Sequence, residues 1–182
     1  MERQPGIRPH QGLWHFLDTA ARYALPGGQT VAVMLVLAAP IGLPGQAPLQ
    51  TAWVQASVFF WTLYRPASMP ALSVFAIGLL FDLLNQGPLG VQVLLLLLIH
   101  AVTLRARRVL TRSGFATVWL AFSLASACAA AAEWILVCLL FWRLLAPWPG
   151  LVECALAIGF YPFLAYYLIA LHRGFAAPER AT

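Results

Sequence analysis

The chain contains no lysine and only six acidic residues among 182, and charged side chains of both signs make up just 9% of it. A soluble globular domain carries roughly 25% charge, so an ordinary water-facing surface is excluded. Cysteine is scarce too: Cys128, Cys138 and Cys154 are odd in number, lie in or beside apolar runs and show no Cys-x-x-Cys spacing. They are expected to act as small hydrophobic side chains, not as a disulfide framework or metal site. Without lysine there is no Gly-rich phosphate loop ending in Lys. His-Glu-x-x-His, Gly-x-Ser-x-Gly and the paired Asp motif of lipid phosphotransferases are also missing. His10 and His15 have no ligating company and no i, i+4 spacing, so neither a metal nor another cofactor is expected.

What the chain does have is apolar length. Hydrophobic residues make up 62% of it, and the mean hydropathy is +0.80. At about 20 residues per transmembrane helix, 182 residues suit five or six short spans and no soluble domain beside them. The expected fold class is all-α, a polytopic integral membrane protein of about six helices. The Pro- and Gly-punctuated runs place the spans at about 28–43, 48–64, 67–84, 89–104, 115–141 and 151–171. Ahead of them, residues 1–27 form an N-terminal segment with no cleavable signal pattern. Leu13 to Leu25 is weakly amphipathic and should lie on the membrane surface, stopping at Pro26-Gly27-Gly28. The six-helix domain covers 28–173, and 174–182 form a tail.

All eleven basic residues are arginine, and they flank apolar runs instead of gathering on a polar face. Nucleic acid is therefore not an expected partner. With six spans and the N-terminus inside, ten arginines fall on the cytoplasmic side and only Arg143 outside, a positive-inside pattern that places both termini in the cytoplasm. Arg105, Arg107, Arg108 and Arg112 are the densest cluster, read as a topology signal in contact with anionic membrane lipids, or as a dock for a cytoplasmic partner.

Two acids stand inside apolar runs, where an unpaired charge costs at least a few kcal/mol. Asp82 lies near the end of the third span, just before the uncharged turn at 85–88 and a new helix whose first N–H groups are unpaired. It is expected to staple that turn by accepting backbone, Asn85 or Gln86 donors. A ligand, ion or partner contact is the alternative. Glu133 lies in the fifth span beside Ala121, Ala125, Ala129 and Ala132, small residues at helical spacing. Small residues let helices approach closely, so this face should make the tightest helix contact, internal or with a partner. Expected companions for Glu133 are a Trp N–H, a hydroxyl or Arg143.

Gly78, Asp82-Leu83, Gly87 and Leu89-Gly90, followed by a long apolar run and Arg105-Ala106-Arg107-Arg108, resemble the central signature of the MreD family. Pro48 opening the second span, Tyr64-Arg65-Pro66 closing it, and Tyr161-Pro162 with Leu171-His172-Arg173 in the last span agree with the resemblance. It extends over roughly residues 28 to 175. The chain departs from the pattern at Ala47, where the family often has arginine, and at Gly87, one place late. The resemblance implies a non-enzymatic scaffold in the bacterial inner membrane. Such a scaffold contributes to rod shape by binding MreC and linking the MreB cytoskeleton, RodA and a penicillin-binding transpeptidase to peptidoglycan synthesis. It also implies a helical arrangement similar to the substrate-binding subunits of energy-coupling-factor transporters. That similarity supplies an alternative function, a membrane transporter subunit that binds a small molecule or lipid, with Asp82, Glu133 and Glu153 facing an outward cavity.

Overall fold

Proline and glycine cut the apolar chain into helices, and hydrogen-bonding demand in lipid keeps every segment helical, because an unpaired backbone group has no water to turn to. A computed structural model describes residues 13–39, 46–85, 87–144 and 146–176, with the backbone alone at 13–25 and 171–176. Six helices follow in order: α1 Leu13–Ala38, α2 Gln46–Tyr64, α3 Ala71–Asn85, α4 Val91–Leu110, α5 Phe115–Phe141 and α6 Trp148–Ala176. Among the described residues there is no strand. Two helices, α5 and residues Trp148–Ala170 of α6, are long and apolar enough to cross a membrane by themselves. At about 1.5 Å per residue, the 15 residues of α3 rise only about 22 Å, short of a hydrocarbon core of about 30 Å.

Several boundaries differ from the sequence expectation. The surface helix expected to stop at Pro26 continues as part of α1. Pro26 sits where its fixed φ suits a helix, at the price of one lost donor, and the Thr30 hydroxyl donates back to the Pro26 carbonyl at 2.8 Å. The third helix begins at Ala71, not 67, because Pro66 opens a 3-10 turn over Pro66–Ser68 and the Pro70 carbonyl accepts the first free N–H groups, those of Ser73 and Val74. The fourth helix continues past Leu104 to Leu110, since arginine is a good helix former and no glycine or proline intervenes before Gly114. The sixth begins three residues early, at Trp148, with Pro149 in the first turn where its missing N–H costs nothing.

Helix α2 is the axis of the bundle. Every residue from Gln50 to Leu63 is buried, against α6, α1 and α4, with α5 touching it more lightly. One aromatic cluster locks three helices together: Phe59 of α2, Phe122 of α5 and Tyr161 of α6. The rings of Phe122 and Tyr161 stack at 4.1 Å, and Phe59 meets them edge-on at 5.4 and 6.0 Å. The Gln46 amide reaches back to the carbonyls of Leu37 and Ala39, capping the end of α1.

The distribution of polarity is the reverse of a water-soluble core. Gln50, Gln55, Asp82, Gln92 and His100 are buried, whereas Leu72, Leu98, Leu120, Leu124 and Leu139 are exposed. In water such a surface would be an aggregation hazard. In lipid it costs nothing, and the polar side chains are the ones that must find protein partners.

Candidate functional site

The turn between α3 and α4 is built around one carboxylate. Asp82, 3% exposed, accepts the backbone N–H of Gly90 at 2.7 Å through Oδ2 and that of Gln92 at 3.3 Å through Oδ1. An acid on the last turn of one helix thus caps the first turn of the next, satisfying donors that α4 cannot pair internally. No side chain of α4's own cap does this, because the capping position is Gly90. Gly90 has φ +95°, a conformation that side chains with a Cβ rarely adopt. Asn85, one of the donors expected for Asp82, instead gives its amide to the Phe81 carbonyl at 3.1 Å. Gln86, the other, lies outside the described residues.

One turn below Asp82, a Cβ added to Gly78 would stand 2.7 Å from the Val93 Cα. The backbones of α3 and α4 touch there, and only glycine allows it. Gly87 has no such neighbour within 4 Å. The signature leucines Leu83 and Leu89 point the other way, 60% and 67% exposed. Gly78, Asp82 and Gly90 therefore hold the hairpin, while Leu83 and Leu89 form part of its outer surface.

From the same turn the contacts continue into α5. Gln92, whose N–H is held by Asp82, donates its side-chain amide to Oε1 of Glu133 at 3.2 Å. Glu133 therefore has an amide partner from α4, one that the sequence expectation of a Trp N–H, a hydroxyl or Arg143 did not include. The physical reason is register: Gln92 occupies the first turn of α4 and is carried to the depth of Glu133 by the Asp82 cap. Glu153, half-buried on α6, has the Thr51 hydroxyl of α2 beside it.

Deeper in the bundle, α2 is tied to its neighbours through its own Gln50, Gln55 and Thr62, polar groups that the sequence reading did not single out. Ser126 of α5 donates to Gln55 Oε1 at 3.1 Å, and Gln50 Nε2 donates to the Met34 carbonyl at 3.3 Å. Thr62 Oγ1 lies 2.8 Å from His100 Nδ1. The available signal was Gln50, Gln55 and Thr62 inside an apolar run, since buried amides and hydroxyls also require partners.

The alanine face of α5 turns inward. Ala129 is buried, and Ala121 and Ala132 pack against the core, with Ala125 half-buried beside them. Of the two roles open to that face, the chain by itself fills the internal one. Of the basic cluster, Arg105, Arg108 and Arg112 are exposed, whereas Arg107 is half-buried and its Nε donates to the Leu63 carbonyl at 2.8 Å. That cation caps the C-terminal end of α2, where the helix dipole favours it. It also shows that the C-terminal ends of α2 and α4 lie together.

Among the described residues no group of three or more His, Cys, Asp or Glu side chains could hold a metal ion, and the three cysteines form no disulfide. Expectations for Arg3, Arg8, His10 and Arg180 fall outside the described residues, as do residues 40–45 between the first two helices.

No curated protein sequence and no solved structure matches the chain. The family described as rod shape-determining protein MreD matches residues 28–170, which include the Asp82 hairpin, the central helix and both long apolar helices. The chain belongs to the MreD family of rod shape-determining proteins, bacterial membrane proteins that act as structural components in setting cell shape.

Proposed function

We propose that the chain is a non-enzymatic inner-membrane scaffold with six spans and cytoplasmic termini. It binds MreC and through it couples the MreB cytoskeleton to RodA and a penicillin-binding transpeptidase during peptidoglycan synthesis. The observation that carries this reading is the state of α5. In 27 residues of membrane-spanning hydropathy it buries only Val118, Phe122, Ser126 and Ala129. One seam holds it to the bundle, and Leu124, Cys128, Ile135 and Leu139 remain exposed, a face long enough for a partner's transmembrane helix. Because Ala121, Ala125, Ala129 and Ala132 are occupied internally, this adjoining face is the proposed docking surface, while Glu133 lies on the opposite side of the helix, held by Gln92 of α4. The shared end of α2 and α4, carrying Arg65 and the exposed Arg105, Arg108 and Arg112, supports a cytoplasmic assignment for that end.

The transporter-like alternative needs acids facing an outward cavity. Both carboxylate oxygens of Asp82 are taken by backbone N–H groups, and Glu133 is engaged by Gln92, which favours the scaffold. Purification from native membranes tests the choice. A stoichiometric single-span partner is expected, and Leu124→Arg on the α5 face should reduce its recovery without loss of the bundle. A tightly held small molecule with no protein partner would sink the scaffold reading.

A further inference from the structure

A second feature of α5 lies in its C-terminal half, on the side that meets α6. Ala127, Ala130, Ala131 and Trp134 of α5 face Gly150 and Cys154 of α6 across a groove of about 250 Å³. Trp134 also borders a second hollow of about 310 Å³, lined by Trp142 and Arg143 and by Ile135 and Leu139 at the end of the proposed docking face. The groove itself is apolar, and the cation lines the second hollow, beyond the Trp134 that the two share.

We infer that this groove holds an acyl chain of an anionic phospholipid from the outer leaflet, with the lipid phosphate on the Arg143 guanidinium. The size of the groove selects a chain over a helix. A transmembrane helix is about 10–12 Å across and needs a seam many turns long. This groove extends over two turns of α5 and little more than one of α6.

Depth and charge agree with that occupant. The left-handed turn at Trp142, φ 51°, ends α5 and leaves Trp142 and Leu144 91% and 90% exposed on either side of Arg143. Trp148 is exposed close by. Tryptophan gathers at headgroup level, so Arg143 sits where phosphates are. It meets no acidic partner among the described residues, and the acid that could have reached it, Glu133, is held by Gln92. An arginine with no acidic partner among the described residues, in the hollow next to an apolar groove, complements a lipid with one net negative charge.

The test uses the purified full chain in detergent, titrated with phosphatidylglycerol or phosphatidylcholine, with bound lipid counted by native mass spectrometry. Phosphatidylglycerol should be retained preferentially. Arg143→Gln should weaken that retention about fivefold, the effect of one arginine near an anionic surface, and leave phosphatidylcholine unchanged. Ala131→Leu, which fills the groove, should reduce retention of both. A photoactivatable phosphatidylglycerol on the unaltered chain should mark peptides covering 127–134 and 150–154, so the proposal stays testable if a variant misfolds. Equal retention by the parent and Arg143→Gln overturns it, as does labelling confined to other helices. Crosslinking of Ala131→Cys to a partner protein's helix in native membranes also overturns it.

Discussion

Replacing Asp82 separates two reasons a carboxylate can stand in an apolar hairpin: its acceptor oxygens or its charge. The contact to Gly90, at 2.7 Å, lies in the charge-assisted range, where a hydrogen bond contributes about 1.5–3 kcal/mol. The contact to Gln92, at 3.3 Å, is long for N–H···O and is assigned about half of that. Asp82→Ala removes both and leaves two donors without water to replace the lost oxygens, a loss of about 3 kcal/mol. Asp82→Asn keeps one acceptor oxygen for Gly90 and loses the weaker bond, about 1 kcal/mol. For a chain of this size, 1 kcal/mol moves the melting temperature by about 2–4 °C. The expected decreases are therefore about 6–12 °C for Asp82→Ala and about 2–4 °C for Asp82→Asn, read by tryptophan fluorescence in detergent. If Asp82→Ala melts with the parent chain, the capping argument is wrong. If Asp82→Asn falls as far as Asp82→Ala, the charge is what matters, and an ion or partner must answer it.

The signature glycines separate by environment: Gly78→Ala forces a Cβ onto the Val93 backbone and should cost about 1–3 kcal/mol. Gly90→Ala should cost about 1–2 kcal/mol for its left-handed φ, whereas Gly87→Ala should leave the melting temperature unchanged. Gln92→Leu should destabilise by about 1–3 kcal/mol by leaving Glu133 without its amide. Adding Glu133→Leu should restore part of the loss, and strictly additive effects in this double-mutant cycle would show the pair to be uncoupled. Arg107→Gln should lower stability by about 1 kcal/mol through the end of α2, while Arg108→Gln on the exposed side should not, a contrast measurable in the same melting assay.

The hairpin was legible in the sequence because its rules are local. An acid near a helix end, an uncharged turn and a helix N-terminus eight residues on admit few satisfactory arrangements, and Asp82 adopts one of them. Donor choice was only partly legible: backbone N–H groups, Asn85 and Gln86 were the candidates in sequence, and the hairpin's closure selects the backbone of Gly90 and Gln92. Glu133 was recognisable as a group needing a partner, but which partner depends on the relative register of α4 and α5, and no sequence spacing encodes that register. The continuation of α1 through Pro26 was missed for a different reason. Proline weakens a helix at one bond, and α1 keeps its remaining backbone bonds on both sides.

By itself the sequence determined that this chain belongs in a membrane, that it is all helical, where glycine and proline interrupt it, and to which family it belongs. These follow from composition and from short-range chemistry. Tertiary structure alone decided that α2 is the buried axis, that the alanine face of α5 looks inward, that Gln92 bridges Asp82 to Glu133 and that Arg107 caps α2. The physical reason lies in the solvent. In water, an apolar stripe marks the inward face of a helix; in lipid, leucine is equally content on either side, so hydropathy locates the spans but leaves their neighbours to be settled by close packing and the pairing of a few buried polar groups.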